Sequence, residues 1–328
     1  MLSRVADSIY WMSRYIERAD NVARFIDVNY HLLLDLPSVV GEQWEPLVRT
    51  TGDYDAFIAT YGSITRENVL HFLVSDTLNP NSLLSCLRAA RENARTIREV
   101  IPSEIWEHVN KFNIMVRDAA QDRSWMDSPG DFLSHVRMDS HLFTGLAENC
   151  MPHSEVWHFC RLGRFIERAD KTLRILDVKS FLLLAPDVDG GANVEVDEDE
   201  TVDSIQWAAL LRSASAFEAY RKRHGRIEPD RVSQFLLLDR DFPRAVLYCV
   251  LSLEDSLHAI SRTPEGGFSN AAEQRIGQLA AELAYADIQT VLSQGLHEYL
   301  DALQAKLNRV GDAIFDTYFA LHPAAANL

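Results

Sequence analysis

Arg14, Glu17, Arg18, Asp20 and Arg24 fall within eleven residues, and the same types recur at Arg164, Glu167, Arg168, Asp170 and Arg174. An arginine fork pairs bidentately with a carboxylate or phosphate, so arginines gathered this densely read as a seat for an anionic ligand. Glu17 and Glu167 would then orient those arginines, hold an amine, or accept a proton. On this reading the ligand-binding candidates are Tyr10, Arg14, Arg18, Arg24, Arg91, Arg95, Arg164, Arg168 and Arg174. The catalytic candidates are Glu17 and Glu167.

The same residues support a purely structural reading. Arg14–Glu17 at i,i+3 and Asp20–Arg24 at i,i+4 have the spacing of helix-supporting pairs, each worth only a few tenths of a kcal/mol. A buried ion-pair network would hold such residues more firmly, because removing one partner strands the other. A binding cleft and a structural network both stand as explanations at this level.

The elements that must position these groups come in two copies. RYIERADNVARFIDV (14–28) and RFIERADKTLRILDV (164–178) are identical at nine of fifteen positions. Further along, QWEPLVRTTGDYDAF from Gln43 faces QWAALLRSASAFEAY from Gln206, and VLHFLVSDTLNP faces VSQFLLLDRDFP, ending at Pro80 and Pro243. Cys86 faces Cys249. The offset grows from 150 to 163. The thirteen extra residues fit the acidic stretch DVDGGANVEVDEDE, Asp187–Glu200, read as a solvated or flexible insert. Repetition on this scale makes each copy half of the fold. The expected halves are 1–150 and 151–328.

Apolar residues recur with helical period almost throughout, and strand signals are poor. The spacing predicts helices near 2–35, 65–76, 80–100, 102–125, 130–149, 153–184, 203–223, 228–240, 243–262, 270–293 and 296–320. Asn79-Pro80 reads as an N-cap with proline at the first helical position. Ile9, Met12, Ile16, Ala19, Ala23 and Ile26 form a core stripe on the first helix, as do Phe159, Leu162, Ile166, Ala169, Leu173 and Leu176 on its echo. The flank beside each stripe carries Arg14, Glu17, Asn21 and Arg24, or Arg164, Glu167, Lys171 and Arg174. The expected architecture is one all-α, multi-helix domain of two tandem-duplicated halves related by a pseudo-two-fold axis.

Composition narrows the classes. The 328 residues carry a net charge of −16, which argues against a general nucleic-acid or anionic-membrane binder. No apolar run reaches the roughly 18–20 residues of a membrane span, and the N-terminus is not built as a signal peptide. Four dispersed cysteines with no CxxC pair suit a reducing cytoplasm. Glu155-x-x-His158 occurs once and Glu104-x-x-Glu107-His108 is no better, so neither reads as a metal site. HExxH, GxSxG, P-loop and Rossmann patterns are absent. No cofactor is expected.

A second basic stripe, Arg88, Arg91, Arg95 and Arg98, occurs in the first copy only. It would mark that half as the richer in extra cations if there is one ligand site.

LSRVADSIYWMSRYIERADNVARFIDV, its echo FCRLGRFIERADKTLRILDVKSFLL, and the stretches NPNSLLSCLRAARENARTIRE and SEIWEHVN resemble the bacterial alpha-E family along essentially the whole chain. Positions that match its motifs are Tyr10, Trp11, Arg14, Tyr15, Glu17, Arg18, Ala19 and Arg24, then Ala90, Arg91, Glu92, Asn93, Arg95 and Arg98. The resemblance implies an all-helical protein whose genes neighbour, or are fused to, circularly permuted ATP-grasp proteins. Transglutaminase-like proteins and a proteasome-like peptidase often accompany them. It therefore implies a part in peptide or amide ligation with the ATP-grasp protein as partner; the Arg/Glu cluster would then bind a carboxylate-bearing peptide or amino acid, or shape the ligase's own site. The alternatives are an enzyme in its own right that uses Glu17 or Glu167, and a structural scaffold.

Overall fold

Thirty-three residues form the first helix, α1 (Ser3–Asp35), about 50 Å long at 1.5 Å per residue. Its echo is α8 (Glu155–Leu183). These two helices cross at the centre of the molecule. The computed structural model describes residues 1–35, 44–126, 129–183, 196–264 and 266–320.

Between the two central helices lie α2 (Glu45–Thr51), α3 (Tyr54–Tyr61), α4 (Arg66–Val74), α5 (Leu83–Thr96), α6 (Ser103–Asp122) and α7 (Pro129–Cys150). After α8 come α9 (Val196–Ser213), α10 (Phe217–His224), α11 (Pro229–Leu238), α12 (Val246–Ser261), α13 (Ala271–Ala284), α14 (Ile288–Gln294) and α15 (Leu296–Ile314). A π-helical turn, Phe315–Phe319, continues α15. The described residues contain these fifteen α-helices and no strand, as the helical periodicity requires.

The apolar stripes face inward as expected. Ile9, Met12, Ala19, Ala23 and Ile26 on α1, and Leu162, Ala169 and Leu176 on α8, are all fully buried. α1 packs on α8, α5 and α7, while α8 packs on α12 and α15. The N- and C-terminal parts of the chain also interlock: α2 lies on α8, and α9 lies on α1. The central crossing is tight. A Cβ on Gly163 would sit 2.1 Å from the Tyr10 carbonyl oxygen and 3.2 Å from the Ser13 Cβ, so no other residue fits there without moving α1.

Several boundaries differ from the sequence expectation. α2 and α3 fall where no helix was expected, because helices of seven and eight residues are too short to show periodicity. Gly52, at φ 83, separates them. The helix expected over 203–223 breaks into α9 and α10 around Ser215, itself at φ 51. The one expected over 270–293 breaks before Asp287, whose carboxylate caps α14 by accepting from Thr290 N at 2.9 Å.

The Asn79-Pro80 cap is also corrected. Asn79 donates to the Phe72 carbonyl and accepts from Asn81 N, holding a turn. Ser82 caps α5 instead, accepting from Ser85 N at 3.2 Å. The equivalent helix α12 likewise begins three residues past Pro243. Of the acidic insert, 187–195 lie outside the described residues, whereas Val196–Glu200 are helical and open α9.

Candidate functional site

The chain contains two Glu-Arg dipeptides, Glu17-Arg18 and Glu167-Arg168, one on each central helix. The crossing joins them reciprocally. Arg18 donates from Nε to Glu167 Oε1 at 2.6 Å and from Nη2 to Oε2 at 2.8 Å. Arg168 donates from Nε and Nη2 to the two oxygens of Glu17, both at 2.8 Å. Each carboxylate takes a second arginine. Arg14 donates to Glu167 Oε2 from Nε at 3.1 Å and Nη2 at 3.0 Å. Arg244, which no motif singled out, donates from Nη1 to Glu17 Oε1 at 3.1 Å. The helix-supporting Arg14–Glu17 pair expected from spacing is absent because Arg14 reaches across to α8.

Both glutamates are buried, and burial alone would raise their pKa values. The arginines outweigh it. Arg168 and Arg244 hold Glu17 below the usual carboxylate range, and Arg18 and Arg14 hold Glu167 well below it. Carboxylates so saturated are weak proton acceptors. Burial pulls Arg244 below the usual guanidinium range, but a guanidinium stays charged wherever this protein folds.

On the Glu17 side the surroundings are filled. Arg244 Nη2 also pairs with Asp20, and Nη1 donates to Asn21 Oδ1 at 3.0 Å. Arg24 Nη2 donates to both Asp20 oxygens at 2.8 and 2.9 Å, and Nη1 donates to Ser215 Oγ. Arg164 turns to Glu148 at 3.1 Å. The space left among Glu17, Asp20, Arg164, Arg168 and Arg244 is about 10 Å³.

On the Glu167 side it is open. The residue aligned with Arg244 is Asn81, and the one aligned with Asn21 is Lys171. Asn81 accepts from Arg18 Nη1 and donates to both Asp53 oxygens at 3.0 Å. Lys171 Nζ lies 3.3 Å from Asp170 Oδ2 and 3.8 Å from Glu167 Oε1. Arg174 donates to Asp170 at 3.0 Å and passes over Gly52, where a Cβ would lie 2.4 Å from its Nη1. A cavity of about 460 Å³ results. Its cations are Arg14, Arg18, Lys171 and Arg174, its carboxylates Asp53, Asp170 and Asp312, and its apolar wall includes Trp11 and Phe319.

The sequence candidates therefore separate. Tyr10, Arg14, Arg18 and Arg174 line the open cavity, and Glu167 lies directly behind it. Arg24, Arg164, Arg168 and Glu17 belong to the filled side. Arg91 and Arg95 reach neither: Arg91 donates to Asn110 and Glu92, and Arg95 donates to Glu92 with its side chain 62% exposed. Glu155 pairs with the chain N-terminus, and His108 meets the Asp139 carbonyl at 2.7 Å. Asn81, Asp53 and Asp312 were missed, and Lys171 was placed on the charged flank but not among the ligand-binding candidates. The alignment of the two copies held the signal, since it sets Asn81 against Arg244 and Lys171 against Asn21.

A neighbouring cavity of about 530 Å³ shares Gly52, Asp53 and Arg174 with the first. It contains Asp177, His297 and Asp301, whose candidate ligand atoms lie within 4.8 Å of one another. His297 Nδ1 lies 2.6 Å from Asp177 Oδ1, so an ordinary His–Asp pair accounts for the closest of these contacts.

Helices around a reciprocal pair of Glu-Arg dipeptides define the class. The profile of the Alpha-E family, described as a predicted alpha-helical domain with a conserved ER motif, matches residues 1–319. The chain belongs to that family. It is similar to uncharacterized proteins of Mycobacterium bovis and Mycobacterium tuberculosis, at 22% and 21–22% identity over 344 residues. These matches cover 97% of this chain but only 37% of each relative. No solved structure matches. No helix among the described residues is long and apolar enough to cross a membrane.

Proposed function

We propose that this chain is the helical partner of an ATP-grasp peptide or amide ligase, and that it holds a carboxylate-bearing amino acid or short peptide in the open cavity. The observation that carries the reading is the cavity's charge pattern. Four cations face three lining carboxylates, and the buried Glu167 behind them makes the signs equal. A site that offers both signs and is neutral as a whole suits a zwitterion. A doubly charged phosphate would meet three repelling carboxylates at its own wall. The volume falls within the roughly 300–1,000 Å³ of small-ligand pockets.

The division of labour follows from the chemistry. The ligase would convert a carboxylate to an acyl-phosphate at the expense of ATP, and an amine would then displace phosphate to form the amide. This chain would supply positioning. Glu17 and Glu167 suit that role, since each is fully engaged by two arginines. The ligase partnership rests on the family resemblance. The longer mycobacterial relatives, in which the matching region is a minor part, suit a domain that works joined to others.

The two halves, 1–150 and 151–328, are proposed to derive from tandem duplication about a pseudo-two-fold axis through the α1–α8 crossing. Reciprocal Glu–Arg pairing supports this. So do the matched thiols, Cys86 on the Pro80 carbonyl at 3.8 Å and Cys249 on the Pro243 carbonyl at 3.6 Å.

The test is a thermal-shift titration with the dipeptide Ala-Ala in free and C-terminally amidated forms, with and without the ATP-grasp neighbour co-expressed. The expected result is stabilisation by the free form alone and co-purification of the ligase. Equal response to both peptides, or to neither, would overturn the substrate reading. Failure to co-purify would overturn the partnership.

A further inference from the structure

The filled and open flanks differ by an exchange of charge between two places. On the filled side, α1 contributes the neutral Asn21 and the segment before α12 contributes Arg244. On the open side, α8 contributes the cation Lys171 and the segment before α5 contributes the neutral Asn81. Either way one further cation meets the same pair of acids: Glu17 and Asp20 on one side, Glu167 and Asp170 on the other.

The cation is used differently in the two places. Arg244 makes three hydrogen bonds, to Glu17, Asp20 and Asn21, and its guanidinium fills the space. Lys171 is held by the two longer ionic contacts at 3.3 and 3.8 Å, and it makes no hydrogen bond among the described residues. Its side chain is only 9% exposed, yet it lines the cavity. A buried ammonium has three donors and gains from an acceptor for each. Glu167 and Asp170 are already met by Arg14, Arg18 and Arg174, so the Lys171 ammonium keeps donors that a ligand's carboxylate can take.

We infer that the exchange of Lys171 and Asn81 for Asn21 and Arg244 makes the molecule a one-site binder, with the Lys171 ammonium as the seat of a ligand's carboxylate and the Arg244 guanidinium as a built-in occupant of the second site. This rests on the reading of the open cavity as a binding site, and it adds the stoichiometry, the anchoring residue and the reason the second copy is closed. Asn21 is itself used up there: Nδ2 donates to the Glu17 carbonyl at 2.9 Å while Oδ1 accepts from Arg244.

Bromide soaked into crystals of the full chain, located by its anomalous signal, tests this without reference to the ligase or to any peptide. The expected result is one bromide against Lys171 Nζ and none between Asn21 and Arg244. Bromide on both sides, or on neither, overturns the inference. In Lys171→Gln the bromide should be lost although Arg14, Arg18 and Arg174 remain, and its persistence there would also overturn it. The exchange Asn21→Lys with Arg244→Asn keeps a cation for Glu17 and Asp20 and should open a second bromide site. If that variant crystallises with the second side still empty, the inference fails; if it does not fold, the wild-type and Lys171→Gln crystals decide. A bromide at Lys171 in a protein that ignores Ala-Ala would leave this inference standing and remove only the proposed substrate.

Discussion

On its Glu17 flank the molecule is solid, and on its Glu167 flank it encloses about 460 Å³. The pair lattice between them is nearly the same: each glutamate takes one arginine fork from the Glu-Arg dipeptide of the opposite helix and a second arginine from elsewhere. The outer layer differs, Arg244 and Asn21 against Asn81 and Lys171. The comparison shows how one type of charge cluster can be packed solid on one flank and left beside open space on the other. The lattice is the shared structural core, and the layer around it decides whether the flank is filled.

The sharpest way to break this comparison is at the lattice, where both flanks should respond alike. Glu167→Ala strands the partly buried Arg14 and Arg18, and Glu17→Ala strands Arg168 and Arg244. Each should cost about 3–5 kcal/mol of unfolding free energy in urea titration. The same carboxylates set the acid limit. Glu17, Glu167 and Asp20 have folded-state pKa values below their unfolded ones, so their contribution is fully present above about pH 4.5. It is lost as the pH falls through the folded values. Unfolding free energy measured from pH 6 to pH 2 should fall steeply below about pH 4.5, and less steeply in Glu167→Gln.

The outer layer should separate the flanks. Arg244→Ala leaves Glu17 and Asp20 short of a buried cation, at about 3 kcal/mol. Its aligned counterpart Asn81→Ala removes hydrogen bonds at the cavity edge, at about 1 kcal/mol. Equal losses by chemical denaturation would erase the distinction drawn here. Gly52→Ala should cost about 1–2 kcal/mol, because its φ is left-handed and the new methyl displaces Arg174. It should also weaken Ala-Ala binding. Smallest of all, Arg95→Ala removes an exposed pair with Glu92 and should change stability by less than about 0.5 kcal/mol, with ligand response unaltered.

Much of this was readable in the chain. The apolar stripes of α1 and α8, the all-helical class and the special standing of Glu17, Arg18, Glu167 and Arg168 all follow from periodicity and repetition. What periodicity cannot express is contact across helices. Arg14 has an acid three residues on, yet bonds to one 153 residues away, because the tight passage at Gly163 brings α8 within its reach. Arg91 and Arg95 carry the charge of a site, but their helix face points away from it. Lys171 and Asn81 are unremarkable until they are set beside Asn21 and Arg244. The breaks at Gly52 and Ser215 depend on single left-handed residues that a window average smooths over.

The interlocking of the helices before and after the α7–α8 connection has a consequence for how the protein can be made. Cut between α7 and α8, either fragment would carry a dense set of charges without its cross-helix mates and an apolar stripe only partly covered, by α5 and α7 in one and by α12 and α15 in the other. The two pieces should be unable to mature alone and should recover the native form only when produced together, as obligate complements. Synthesis order then matters: until α8 emerges from the ribosome, α1 can pack on α5 and α7, but its Glu17 and Arg18 lack their partners on α8.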